Sequence, residues 1–215
     1  MANCRLHRVP FIASVVFLLI NTCFSGDLYS QHAVGYLMGY GSEKIGNFID
    51  MGSDYVYRIN FYRFQYNYTF LKGRSWSLEA VGLMQFNTVK YMNKIIEDQF
   101  TNGYEFGING GLALRKLILK DNLSFYLLIT SGPHYISGAP NLQIQGFIFS
   151  NNIYFGIDVK VAKRIYLNFG PGLRHISNAE TRHPNFGINS ILINGGIVIN
   201  LQDFKKGEKR LTGSP

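Results

Sequence analysis

The stretch 147-FIFSNNIYFGIDV-159 decides the fold. Its odd positions read Phe147, Phe149, Asn151, Ile153, Phe155, Ile157 and Val159, and the residues between them include Ser150, Asn152, Gly156 and Asp158. A period of two is the signature of a β-strand, whose successive side chains point to opposite faces. Here one face is apolar and aromatic, and the other is small or polar. A soluble β-sandwich buries its apolar face in a core, where long side chains are needed. A narrow barrel in a membrane turns that face to lipid and fills its interior with glycine, asparagine and serine. The pattern recurs where Tyr104, Phe106, Ile108, Leu112 and Leu114 alternate with Glu105, Gly107, Asn109, Gly111 and Ala113.

Working outward, eight such segments appear, near Ala33–Gly41, Tyr55–Tyr66, Trp76–Phe86, Tyr104–Leu117, Leu123–Tyr135, Gly146–Lys160, Ile165–Ser177 and Asn189–Leu201. The second changes phase: Tyr55, Tyr57, Ile59 and Phe61 are odd, whereas Phe64, Tyr66, Tyr68 and Phe70 are even. A β-bulge near Tyr62–Arg63 is the expected cause. The links after segments two, four and six are short, around Lys72–Ser75, Lys120–Asn122 and Ala162–Arg164; the others are longer. Outer-membrane barrels have short periplasmic turns and longer outer loops. The expected fold class is therefore all-β, an eight-stranded antiparallel outer-membrane β-barrel filled by side chains rather than open as a pore. A soluble secreted β-sandwich or a lipocalin-like barrel is the competing architecture, against which the loop asymmetry weighs.

Residues 1–30 have the build of a cleaved signal peptide: Arg5 and Arg8, then the apolar run Phe11–Ile20, then small residues at Ser25 and Ser30. The run is too short for a membrane helix, which needs about 20 residues. Cys23 as a lipid-attachment site is the rival reading, with Asn21 and Thr22 a poor lead-in. The expected organisation is a signal peptide (1–30), a transmembrane barrel (31–204) and a polar tail (205–215). Both cysteines, Cys4 and Cys23, fall in the signal, so the mature barrel has no disulfide or cysteine-ligated metal. The formal net charge of +8 is spread along the chain. Without a Lys/Arg block nucleic acid is not an expected partner, whereas an anionic lipid surface is. The 14 tyrosines and 17 phenylalanines suit interfacial girdles. No stretch marks a subunit interface.

The chemistry gathers at the last hairpin. Ile165, Leu167, Phe169, Pro171 and Leu173 share a face that His175 and Ser177 continue, and Asn189 leads Ile191, Ile193, Ile197 and Ile199 on the next segment. All three polar residues should point to lipid near the outer end of adjacent strands. A lipid-facing histidine is costly unless paired or functional. Pro171, which cannot donate to a ladder, is the one residue expected to disturb this phase. Two residues of spacing puts His175 and Ser177 roughly 7 Å apart, close enough for an imidazole to act as base to a serine nucleophile. Asn189 would orient the base from across the hairpin, and Asn178 would point its amide at a developing oxyanion. Such ester hydrolysis calls for no cofactor or metal. A polar cap built from ordinary loop formers is the plainer account of the same residues.

The segment His175-x-Ser177-Asn178-Ala179, then Pro184-Asn185-x-Gly187-Ile188, preceded by Gly170-Pro171-Gly172, resembles the PagL-type lipid A 3-O-deacylases. The resemblance implies an eight-stranded outer-membrane barrel that hydrolyses the ester-linked acyl chain at position 3 of lipid A. It implies a histidine base at His175, a serine nucleophile at Ser177, and an orienting residue fourteen positions after the histidine, at Asn189. It places Asn178, Glu180 and Asn185 at oxyanion or substrate-binding positions, and makes the lipid A of lipopolysaccharide in the outer leaflet the partner. The chain departs from the pattern twice. Asn189 stands where the best-known members have glutamate, and Glu180 stands where members can have a glycine whose backbone amide helps bind the oxyanion. The Glu180 carboxylate either replaces the missing acid or repels the oxyanion. A barrel of the same fold without turnover is the alternative function. Elsewhere, His134 reads as an interfacial residue, Arg182, His183, Lys44, Lys90 and Lys94 as loop charges or phosphate contacts, and Arg115 with Asp158 as a pair inside the barrel.

Overall fold

The computed structural model describes residues 31–45, 49–94, 99–119, 122–141 and 143–201. The expected signal peptide, and the tail from 205 onward, lie outside the described residues. Eight strands close into one ring: β1 (Gln31–Ser42), β2 (Tyr55–Lys72), β3 (Trp76–Asn93), β4 (Thr101–Leu117), β5 (Leu123–Ile136), β6 (Gly146–Ala162), β7 (Ile165–Ser177) and β8 (Ile188–Asn200). Each pairs antiparallel with its neighbours in sequence, and β8 closes on β1 from Ala33↔Asn200 to Ser42↔Ile191. A two-rung ladder, Lys44–Ile45 against Ile49–Asp50, decorates the loop after β1.

Every strand begins close to where the alternation placed it, but β2 runs six residues past the expected Tyr66 and β3 seven past the expected Phe86, so Lys90, read as a loop charge, lies within β3 opposite Arg58. The outward face is exposed and apolar, as at Met84 (63%) and Phe147 (54%), and inward neighbours such as Gln85 and Ile148 are buried. Pro171 does not shift the phase: the β7–β8 register runs unbroken from Ile188↔Ile176 through Ile193↔Pro171 to Ile199↔Ile165. A missing N–H removes a hydrogen bond but leaves the pleat intact.

The bulge expected at Tyr62–Arg63 is absent. Pairing there is continuous on both sides, with Tyr62↔Phe86 and Arg63↔Gln85 on β3 and Met38↔Tyr62 and Leu37↔Arg63 on β1; the irregularity in β2 lies between Thr69 and Leu71. The parity never slips; the surroundings change. Tyr57, Ile59 and Phe61 point inward and are fully buried, whereas Phe64 and Tyr66 point outward. In its outer half the barrel has an apolar interior that also holds Ile136, Ile148, Ile176, Ile188 and Leu192. The outward positions of β2 at that height, Arg58 and Asn60, are polar. The barrel therefore stands above the lipid band there, with the polarity of a water-soluble protein, and β2 crosses the boundary near Tyr62.

Below that apolar plug the interior is polar, with several charges paired and the Arg63 guanidinium left without a hydrogen-bond partner among the described residues. Arg63 lies fully buried with its guanidinium 4.4 Å from the Tyr154 ring centre. Glu105 joins Arg174, His134 (Nδ1, 2.5 Å) and the Tyr57 hydroxyl (3.5 Å), and His134 Nε2 bonds Asn109 Oδ1 at 2.7 Å. His134 is thus an interior residue, 2% exposed, and not the interfacial one expected. Its ring fits because residue 107 is glycine, where a Cβ would stand 2.2 Å from His134 Cδ2. Nearer the end with the short turns Arg115 pairs with Glu79 (2.6 Å) and Asp158, as anticipated for the inward-facing Arg115 and Asp158. Replacing Arg115 by leucine leaves two buried carboxylates unpaired, a class of change that costs about 3–5 kcal/mol. A matching loss should appear in denaturant unfolding of the refolded barrel.

Candidate active site

The last hairpin joins β7 to β8 through residues 178–187, and its rungs set the site. His175 and Asn189 are direct cross-strand partners. Their side chains point out of the barrel and join, His175 Nδ1 donating to Asn189 Oδ1 at 2.8 Å. With Nδ1 carrying the proton, Nε2 keeps its lone pair. The Asn189 backbone N–H donates to the Tyr55 hydroxyl at 3.0 Å, which ties the start of β8 to β2. Ser177 follows two residues along β7 on the same face, half-buried. Among the described residues no hydrogen bond joins its hydroxyl to His175.

Gly187 packs on the far edge of the imidazole. A Cβ there would lie 2.5 Å from His175 Cε1 and 3.1 Å from Nε2, and the backbone is left-handed at φ 74°. Only glycine meets both conditions without displacing the ring.

The loop turns at Asn178–Thr181, where Thr181 N–H donates to Asn178 O at 3.2 Å. Ala179 (φ 53°) and Glu180 (φ 61°) are both left-handed, the pattern of a type I′ turn, which ordinarily selects Asn-Gly. Holding a residue with a side chain in such a region costs on the order of 1–3 kcal/mol. The backbone at 180 thus keeps the shape that suits glycine while the side chain is glutamate, exposed to solvent. Glu180 N–H meets no partner among the described residues.

Asn178 is 1% exposed and turned into the loop, where its Nδ2 donates to Arg182 O at 2.7 Å. Its backbone N–H donates to Asn185 Oδ1 at 2.9 Å, and Asn185 bridges to Gln143 in the loop after β5. The structure thus brings His175, Asn189 and Ser177 together on the outer wall. It places Asn178 and Asn185 within the loop that carries the strained turn, with Arg182 and His183 exposed beside it.

Sequence reasoning passed over two residues of this surface. Asn151 is the β6 partner of His175, and Ser131 is the β5 partner of Asn151. Both are exposed, and Ser131 Oγ donates to Asn151 Oδ1 at 2.7 Å. Ser131, Asn151, His175 and Asn189 therefore form one polar row across four strands. The available signal was the interruption of apolar faces, Asn151 between Phe149 and Ile153 and Ser131 between Ile129 and Pro133. Beneath the row the wall is apolar. A groove of about 810 Å³ runs from Pro171 and Ile193 past Phe155 to Phe125 and Leu114.

Fold and site together define a membrane-embedded barrel with a polar constellation on its lipid-facing wall, at the level where that wall turns from apolar to polar. The model of the lipid A 3-O-deacylase (PagL) family matches residues 60–197, and the chain belongs to that family. Among solved structures it is similar to the outer membrane enzyme PagL, with 13% identity, coverage of 78% of this chain and 98% of that one, and a TM-score of 0.56. It is also similar to Neisserial surface protein A (10% identity, 79% and 96% coverage, TM-score 0.42). A third similar structure is Ail of Yersinia pestis (9% identity, 80% and 99% coverage, TM-score 0.41). A search of curated protein sequences finds no match.

Gly187→Ala should leave the barrel assembled but move the His175 ring off Asn189. Imidazole nitrogen NMR of the folded protein checks this: the hydrogen-bonded Nδ1–H signal of the wild type should be lost in the variant.

Proposed function

We propose that this chain is an outer-membrane lipid A deacylase that hydrolyses the ester-linked acyl chain at the 3-position, with Ser177 as nucleophile and His175 as base. The observation that carries this reading is the His175 Nδ1–Asn189 Oδ1 hydrogen bond on the outer wall. An orienter on Nδ1 leaves Nε2 free to take a proton, which is the requirement for activating a serine hydroxyl. The family match supports the substrate class. The apolar outer wall below the polar row supports it physically, since an acyl chain whose ester meets Ser177 can lie down that wall over Leu173 and Ile153, toward Pro171 and Phe155.

In the reaction Ser177 Oγ bonds to the ester carbonyl carbon as its proton passes to His175 Nε2. The carbonyl oxygen becomes an oxyanion, for which the unpartnered Glu180 N–H is a donor at the rim of the turn. The carbon–oxygen bond to the sugar then breaks, and His175 returns the proton to the departing alkoxide. Water attacks the acyl-serine with its proton going to His175 and from there to Ser177 Oγ, releasing a fatty acid. Asn178 and Asn185 hold the turn that presents Glu180 N–H. The Ser177–His175 hydrogen bond forms with substrate in place, as catalytic hydrogen bonds often tighten only in the complex.

A barrel of the same shape without turnover is the second reading. It is favoured by the neutral amide at Asn189, which stabilises an imidazolium less than a carboxylate does. Mass spectrometry of lipid A incubated with the folded protein separates the two. Wild type should remove one hydroxyacyl chain, and Ser177→Ala should lose at least about 10³-fold of the rate. No removal by folded wild type would establish the second reading. Asn189→Glu should raise turnover in the same assay, within the ceiling of about 10⁴-fold that separates carboxylate from amide in a serine triad.

A further inference from the structure

The polar row extends two strands beyond the residues that the reaction uses. Ser131 and Asn151 stand on the lipid-facing wall, exposed, bonded to each other and flanked by apolar side chains such as Ile129, Phe149 and Ile153. Polar side chains facing hydrocarbon carry a cost, and a barrel that needed only a lipid contact would have apolar residues here. No interior packing explains them, because both point outward. They also complete no part of the catalytic hydrogen-bond chain, which runs the other way, from His175 to Asn189.

What the pair can recognise follows from its unused valences. Ser131 Oγ donates its proton to Asn151 Oδ1 and keeps lone pairs to accept. Asn151 Nδ2 keeps its N–H groups, which meet no acceptor among the described residues. The pair thus presents one donor and one acceptor side by side, and it does so whichever way its own hydrogen bond runs. An alcohol, which accepts and donates through one atom, is a small group that can answer both.

Its place on the wall says where that alcohol lies. Asn151 is directly beside His175, about 4.5–5.5 Å away at Cα. It is diagonal to Ser177, at about 7–8 Å. An acyl chain attached through its carbonyl to Ser177 and directed down the apolar wall toward Phe155 and Pro171 meets this row first, because His175 and Asn151 are the rung next below Ser177 and Phe149. The first few carbons of the chain are the ones that lie against it. Gly110, the β4 partner of Ser131, leaves open space on the outer wall at the end of the row, so the pair is accessible from the side.

We propose that Ser131 and Asn151 form a subsite for a hydroxyl carried near the carbonyl end of the acyl chain, so that the barrel selects 3-hydroxyacyl over plain acyl esters. The inference rests on the reading of Ser177 and His175 as the reacting pair. Asn151 and Ser131 bind the chain and take no part in proton transfer.

The test has a binding arm and a turnover arm. In the first, full-length mature Ser177→Ala barrel, refolded in detergent, is titrated with two glucosamine amphiphiles that differ only in the 3-hydroxyl of a fourteen-carbon chain. The hydroxylated one should bind about tenfold more tightly or better, within the range that a site built around a hydroxyl can give. Adding Asn151→Leu with Ser131→Ala should erase that preference. In the second arm, wild type should cleave the 3-hydroxyacyl ester in preference to its deoxy analogue, and the double variant should cleave the two at similar rates. Equal binding of the two amphiphiles by the Ser177→Ala barrel, or a preference that survives the double substitution, overturns the subsite. Cleavage of neither ester overturns the deacylase reading, while the binding arm still decides the subsite. Circular dichroism and heat-dependent gel mobility confirm that the double variant folds.

Discussion

Closure of the ring is the constraint on which the rest of the structure depends. In lipid no water is available to backbone N–H and C=O groups, so every strand must pair on both sides. Here β8 returns to β1 and the sheet has no edge. Closure fixes the register of all eight strands at once, and the register with the period of two fixes which side chains meet lipid and which meet each other. The site inherits its precision from this. His175 and Asn189 lie fourteen residues apart in sequence, and they face each other because the hairpin between them closes on one rung.

An eight-stranded ring is narrow enough that side chains must fill it. The filling is layered: an apolar plug at the outer end, then charges lower down, of which Arg63 stacks on Tyr154 and the others meet oppositely charged partners. Glu105 stands between Arg174 and His134, and Arg115 between Glu79 and Asp158. These pairs hold the wall from within. Arg174 reaches Ser150 at 3.0 Å and Glu105, and it is the residue before His175 on β7. The inward anchoring of Arg174 fixes the backbone from which His175 projects outward. Interior electrostatics and exterior chemistry are thus carried by adjacent residues of one strand.

The outer end is where the rules relax. Above the lipid band the faces exchange polarity, and the loop of 178–187 carries two consecutive left-handed residues with side chains. Strain of this kind persists only where the surroundings over-determine it. Here the surroundings are Asn185 on Asn178 N–H, Arg182 O on the Asn178 amide, and Thr181 on Asn178 O. A glycine at 180 would adopt the same backbone freely, so Glu180 is a local departure from what the fold asks. The Asn189 departure is different in kind, since an amide oxygen accepts the same Nδ1–H as a carboxylate and only the charge is lost.

Most of the barrel was legible in the chain, because alternation in Phe147–Val159 and its counterparts reports a face directly. The hairpin motif was legible too, because His175, Ser177 and Asn189 are close in sequence. What misled was composition read without height. Tyr57, Ile59 and Phe61 read as a bulge only if apolar residues face lipid at every height, and His134 reads as interfacial in the sequence because its link to Glu105 spans 29 residues. Neighbours brought together only by register were invisible for the same reason. Asn151 meets His175 across 24 positions, and Tyr55 meets Asn189 across 134. The sequence by itself determined the eight strand segments, most of their faces and the hairpin that carries His175, Ser177 and Asn189, since these follow from short-range periodicity. Only the tertiary structure decided what lies beside that hairpin and what fills the ring, because pairing between distant strands is set by closure and not by any local pattern.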